Sequence, residues 1–96
     1  MAWVYILRCA DGSLYVGHTS DLDSRERTHN DGRGGSYTAA RRPVRVFFAE
    51  PASSLDAARR RERQLKRWSR TKKEALIAND VLELKRLSRR RKNPRS

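Results

Sequence analysis

Trp3-Val4-Tyr5-Ile6-Leu7, a turn signal Cys9-Ala10-Asp11-Gly12-Ser13, and Leu14-Tyr15-Val16-Gly17-His18-Thr19 together decide how this chain folds. The two outer runs are β-branched and aromatic, residues that pack well on a pleated surface, so both read as strands of a hairpin. The loop length then matters, because a slip of one residue moves every side chain to the opposite face. A two-residue Asp11-Gly12 turn pairs positions whose numbers sum to 23 and separates Tyr5 from Tyr15. A three-residue loop, with Gly12 left-handed beside a bulge, pairs positions summing to 22. We prefer the second register. It sets Tyr5 against Gly17 and Leu7 against Tyr15 on one face, and gathers Val4, Ile6, Leu14 and Val16 on the other.

Outward from the hairpin, Ser20 with Asp23 reads as a capping box, and Gly32 as the left-handed residue that closes the helix. Between Leu22 and Asn30 the only large apolar side chain is Leu22; the stripe that continues from it holds Arg25, Glu26 and His29. Gly32 to Pro43 reads as a loop long enough to be functional. Val44 to Glu50 is a third strand with Val44, Val46 and Phe48 on one face, ended by Pro51. Ser53 and Asp56 open a helix to about Trp68, Thr71 and Glu74 one through Ile77, and Asp80 and Glu83 one through Leu87. Residues 88–96 form a basic tail expected to be disordered. The expected class is α+β: a small three-stranded antiparallel sheet flanked by helices, with additional C-terminal helices, as one domain over 1–88 and a tail over 89–96.

Composition narrows the function. The 96 residues suit one small domain, and 36% hydrophobic content is below the usual globular share of roughly 45–50%. No apolar run approaches the roughly 18 residues of a membrane span, and, without a basic segment ahead of an apolar stretch, no signal peptide is expected. The single cysteine, Cys9, supports neither a disulfide scaffold nor a thiolate zinc site and reads as a small strand residue. A cytoplasmic location follows as the expectation. The formal net charge is +12, unevenly spread: residues 1–54 carry seven Lys/Arg against six Asp/Glu, and residues 55–96 carry sixteen against five. That asymmetry points to a polyanionic partner held by the second half, a solvated helical surface being the plainer reading.

A few residues resist a packing account. The helix of residues 55–68 presents Leu55, Ala58, Leu65 and Trp68 as its apolar stripe, and Glu62 falls on that stripe. A carboxylate there needs a partner: an ion pair with one of the helix's arginines, or a hard cation. Arg25 and His29, four apart, share a helical face. Alone they read as an exposed polar face, Tyr5 and Tyr15 as core aromatics, and His18 as a strand-surface side chain. Converging, the tyrosines, Arg25, His29 and Glu62 provide what phosphodiester hydrolysis requires: proton transfer, a cation for the developing negative charge, and a metal or acid for the leaving oxygen.

With Trp3-Val4-Tyr5, Tyr15-Val16-Gly17, Asp21-Leu22-Asp23-Ser24-Arg25 and His29 in this order, the chain resembles the GIY-YIG nuclease superfamily. Thr19, the Gly32–Thr38 loop, Arg41-Arg42-Pro43 and Arg61-Glu62-Arg63-Gln64-Leu65-Lys66-Arg67-Trp68 resemble its small, stand-alone bacterial branch, over about residues 2–88. The resemblance implies a metal-dependent endonuclease. Tyr5 and Tyr15 match the motif tyrosines that shape the site, one of which helps to deprotonate the attacking water. Gly17 matches the glycine that lets backbone and substrate approach closely. Arg25 matches the phosphate-contacting arginine, His29 a proton-transfer group or phosphate contact, and Glu62 the ligand of a single Mg²⁺ or Mn²⁺. Tyr37, Arg41 and Arg42 are candidate substrate-binding residues. The first motif has no glycine, and Asn79 is the nearest candidate for the family's late asparagine, though at a helix junction. No separate targeting domain is expected, so target choice should come from the core, the Gly32–Pro43 loop and the basic helices. The expected partner is DNA, single-stranded or branched and met in repair or processing, with RNA open. The alternatives are a non-catalytic basic nucleic-acid-binding module and, more weakly, an adaptor for an acidic protein.

Overall fold

A computed structural model of the chain describes residues 2–79. Strand β1 (Ala2–Cys9) lies at the centre of a three-stranded antiparallel sheet, between β2 (Leu14–Thr19) and β3 (Val44–Ala52). It carries the longest apolar run of the three strands and is covered on both faces, with Val4, Tyr5, Ile6 and Leu7 all buried. The hairpin register is the expected one: Tyr5 pairs with Gly17 and Leu7 with Tyr15. Gly12, at φ +86°, supplies the left-handed residue of a three-residue loop, and the Cys9 amide bonds the Ser13 carbonyl at 2.9 Å.

The sheet's two faces differ. Ala2, Val4, Ile6 and Val16 form one cluster with Ala58 and Leu65 of α3 (Leu55–Lys66). Tyr5, Leu7, Cys9 and Val44 form another, joined by Tyr15, Val46 and Leu22 of α1 (Leu22–Asn30). Phe48 departs from the expectation that it shares a face with Val44 and Val46. The β1–β3 register shifts between Ile6 and Leu7, a bulge that adds one residue to β3. Phe48 therefore packs with the aliphatic cluster, and Phe47 is left exposed beneath the Arg8 guanidinium. Pro51 does not end the strand either; it pairs with Trp3 on an outer strand, where its missing N–H costs no ladder bond.

Helix α1 seats on the edge of β3 largely by hydrogen bonds. Glu26 accepts from the Val46 amide at 2.7 Å, and Asn30 both accepts from the Val44 amide (2.7 Å) and donates to its carbonyl (2.9 Å). The segment expected to be a plain loop contains a one-turn helix, α2 (Ser36–Ala39). Each cap also lies one or two residues from the expected position. Asp21, Ser54 and Ser69 cap α1, α3 and α4 (Arg70–Ile77), in place of Ser20, Ser53 and Thr71, each accepting from the amide three residues on. Leu55, expected on the buried stripe, is 49% exposed, and α3 ends at Lys66, with Trp68 packing on the cluster from beyond it.

Helix α4 is tied to the hairpin by charge. Glu74, expected in a capping box, instead takes a two-pronged contact from Arg8 (2.6 and 3.1 Å) and a bond from Arg70, which also reaches the Gly12 carbonyl. Asn79 follows the α4 cap at φ +58°, the left-handed role asparagine tolerates at a helix end. The expected helix over 80–87 and the tail lie outside the described residues.

Candidate active site

Strand alternation sets Tyr5 and Tyr15 on the same face, and α1 brings His29 between them. The Tyr5 hydroxyl lies 3.2 Å from His29 Nε2, and the Tyr15 ring meets the imidazole edge to face at 5.2 Å. His29 is fully buried. Its Nδ1 lies 2.7 Å from Thr38 Oγ1, and the Thr38 hydroxyl donates to the Gly35 carbonyl. Both ring nitrogens of His29 are thus engaged, Nδ1 by Thr38 and Nε2 by the Tyr5 hydroxyl. A relay of polar contacts links Tyr5, His29 and Thr38. Burial, then the positive charge of Arg25, lowers the His29 pKa below its ordinary 6.5 and keeps the ring neutral. Burial, then Tyr15, holds the Tyr5 phenol well above its ordinary value, with Glu62 adding and Arg25 opposing.

Two glycines make room for this relay. A Cβ on Gly17 would overlap the Tyr5 phenol, and one on Gly34 would overlap the His29 imidazole. The close approach at Gly17 is therefore made by Tyr5 itself, which gives that glycine a packing reason independent of any substrate. Thr38 and Gly34 were not singled out by sequence reasoning. A four-residue helix has too few turns to show a periodicity, and only the fold brings the glycine loop against His29.

Arg25 is exposed and makes no hydrogen bond or ion pair among the described residues, yet it acts electrostatically on both Tyr5 and His29. It is a cation held beside the relay and free to meet an anion. Glu62 reaches the same locality from α3, close enough to act on Tyr5. Its partners are not the arginines expected for an internal ion pair. His18 Nδ1 lies 2.5 Å from one oxygen and Lys66 Nζ 2.7 Å from the other, with the carboxylate side chain 15% exposed. Burial alone would raise the Glu62 pKa, but the hydrogen bonds from Lys66 and His18 outweigh it and hold the group ionised below its usual range.

The three candidate substrate-binding residues divide. Tyr37 is exposed and extends the aromatic series, its ring 6.0 Å from Tyr15. Arg41 stacks on Tyr37 at 3.9 Å, bonds its carbonyl and pairs with Asp11, so it staples α2 to the hairpin loop. Arg42 bonds the Ala39 and Asn30 carbonyls and lines a separate surface hollow with Pro43 and Ala40, away from the tyrosines.

No group of three His, Cys, Asp or Glu among the described residues could cage a metal. A single ionised, partly exposed carboxylate still suits a hard cation of the Mg²⁺ kind, which keeps several waters and binds through one or two carboxylates together with substrate phosphate. The donor set fits such an ion and not a closed transition-metal site.

Comparison with known proteins identifies the family. Residues 1–75 match the family model described as the GIY-YIG catalytic domain, and the chain belongs to that family. GIY-YIG domains form a nuclease superfamily that acts on nucleic acid and typically uses a divalent metal ion. Within it, the chain is 47% identical over 81 residues to a UPF0213 protein of Bacillus pumilus, covering 84% of this chain and 83% of that one. It is also 47% identical to the UPF0213 protein YazA of Bacillus subtilis, over 76% and 74% of the two chains. A solution NMR structure of the UPF0213 protein BH0048 from Bacillus halodurans superposes with a TM-score of 0.53 at 42% identity, covering 83% of this chain and 86% of that one. No helix among the described residues is long and apolar enough to cross a membrane.

Proposed function

We propose that the chain is a metal-dependent endonuclease that hydrolyses phosphodiester bonds in DNA. The observation that carries this reading is the contact of Tyr5 with a buried, neutral His29 that Thr38 holds from its other side, with the unpaired Arg25 beside it. A water attacking phosphorus must lose a proton. In this reading Tyr5 takes it as its own hydroxyl proton passes to His29 Nε2, so the phenol never has to exist as a free anion. Arg25 meets the negative charge that develops on the phosphoryl oxygens. Tyr15 and Tyr37 wall the approach. Glu62 would hold a Mg²⁺ or Mn²⁺ ion, which when bound supplies charge neutralisation at the phosphate and leaving oxygen; Lys66 and His18 keep the carboxylate ionised and oriented.

One observation favours a second reading, a non-catalytic nucleic-acid-binding module: both oxygens of Glu62 are already engaged within the chain. The two readings part on a single experiment. The full chain is incubated with single-stranded, duplex and branched DNA in Mg²⁺ or Mn²⁺, alongside Arg25→Ala and Glu62→Ala. We expect cleavage of at least one substrate, with Arg25→Ala slower by about 10²–10³-fold, the cost of removing one transition-state donor. Glu62→Ala should be at least as impaired. Equal cutting by both variants would show that the site is misassigned; tight, salt-sensitive binding with no cutting on any substrate would favour the binding module.

A further inference from the structure

The arginines of α3 divide sharply by direction. Arg61 lies on the flank that faces β3 and is fully occupied: it pairs with Glu50 at 3.0 Å, bonds Gln64 at 2.7 Å and lies over the Trp68 ring. Arg59, Arg60, Arg63 and Arg67 are exposed, and none of them makes a side-chain hydrogen bond, ion pair or ring contact among the described residues. Ala58 and Leu65 fix the buried side of the helix, so these four lie on the side opposite the sheet. Asp56 in the first turn is the one acidic residue of α3 on that outward side. Among the described residues, Glu50 is committed to Arg61, Glu74 to Arg8 and Arg70, and Asp11 to Arg41.

Four guanidinium groups in nine residues, without an ion pair among the described residues, repel one another. They are tolerable on a solvated helix, and they become favourable when an anion of matching length lies against them. Arg59, Arg63 and Arg67 recur every four residues and therefore span ~12 Å of helix. A DNA strand rises about 3.4 Å per phosphate, so a ridge of that length spans about four phosphates, enough for one contact from each of the three arginines. The ridge also adjoins the candidate site. Arg59 precedes Glu62 by three residues and Lys66 follows it by four, the two spacings that make helical neighbours, so Glu62 lies on the ridge's own border.

We propose that the outward ridge of α3, Arg59, Arg63 and Arg67 assisted by Arg60, is the track on which the substrate's phosphate backbone docks, leading a phosphate towards Glu62. The occupant is a nucleic-acid backbone, bound without regard to sequence. This proposal rests on the nuclease reading for its substrate but not for its contact surface. Guanidinium groups that bind only phosphates give affinity and register, while the aromatic wall of Tyr15 and Tyr37 remains for the bases.

The test is fluorescence anisotropy with a labelled oligonucleotide that the wild type binds, in Ca²⁺ or EDTA, across a fourfold range of salt. It compares the wild type with Arg59→Gln/Arg63→Gln/Arg67→Gln and with a control of equal charge loss, Arg27→Gln/Arg33→Gln/Arg45→Gln. Circular dichroism establishes that each variant is folded. If three phosphate contacts are lost, the slope of log affinity against log salt should become shallower by about 2.7 for duplex DNA, so the wild type loses about fortyfold more affinity than the ridge variant over that range. The control should keep most of the wild-type slope. A ridge variant with the wild-type slope overturns the proposal, as does a control that loses as much as the ridge variant. Cleavage in Mg²⁺ separates this result from the nuclease reading. A wild type that binds through the ridge but never cuts keeps the track and loses the enzyme; one that cuts with a ridge of no consequence keeps the enzyme and loses the track. Absence of binding in the wild type overturns both.

Discussion

The two faces of the sheet are built from alternate residues of the same three strands, and they solve different problems. Beneath α3, Val4, Ile6, Val16, Ala58 and Leu65 meet with no polar side chain among them. Beneath α1 and α2, the cluster of Tyr5, Leu7, Cys9 and Val44 adjoins a buried histidine and a buried threonine. The first face is held by removing apolar area from water, which is tolerant of small displacements. The second adds hydrogen bonds whose loss would strand polar atoms in the interior, and no buried side-chain N or O among the described residues is left without a partner. The aliphatic core and the Tyr5–His29 cluster thus sit back to back, one strand thick, with Glu62 of α3 as the one candidate residue that comes from the aliphatic side.

The comparison can be broken from either side. Leu65→Ala leaves a void on the aliphatic face and should cost about 2–5 kcal/mol. Chemical denaturation should read that loss, while the rate of cleavage by the remaining folded protein stays near that of wild type. Gly17→Ala acts on the other face, where the new methyl would press on the Tyr5 phenol. It should cost about 1–3 kcal/mol in the same assay. Its fall in cleavage rate should exceed that of Leu65→Ala, because Tyr5 is moved off His29. If Leu65→Ala proved the worse catalyst once folded, the division of labour would be wrong.

The smallest effect sharpens the contrast. His29 has its pKa lowered by burial and by Arg25, so the unfolded chain binds a proton near pH 6.5 that the folded chain refuses until lower pH. The stability associated with neutral His29 is fully present above pH 6.5 and is lost as pH falls from there through the folded pKa. Urea titrations at pH 7.5 and 5.5 should show this decline in the wild type and a weaker one in His29→Gln. Cleavage should show an acid limb in the same window, set by the proton acceptor of the relay.

Much of this arrangement is legible in the chain. The hairpin register follows from the choice between a face that gathers the two tyrosines and one that divides them, and Glu62 stands out because its position on α3 demands a partner. Other features leave no such trace. The bulge at Phe47 adds one residue to a run that alternates acceptably with or without it, so Phe48 changes face unannounced. Each cap lies where Ser, Thr or Asp residues crowd within two positions, and side-chain chemistry alone does not choose between Ser53 and Ser54 or Ser20 and Asp21. The engagement of Glu62 by His18 joins residues 44 apart in sequence, and among so many arginines a histidine on β2 is not the obvious partner.

The polar docking side of α1 looks ill-suited to a helix that must hold an arginine and a histidine against a sheet. The bonds from Glu26 and Asn30 to the rim of β3 change that judgement. Apolar contact lets a helix slide or roll by an ångström or more at little expense, whereas amide and carbonyl groups accept their partners over a narrow range of distance and angle. Helix α1 is therefore located like a part pinned at two points. The precision of that mounting passes directly to Arg25 and His29, each of which immediately precedes a pin on the same rigid helix.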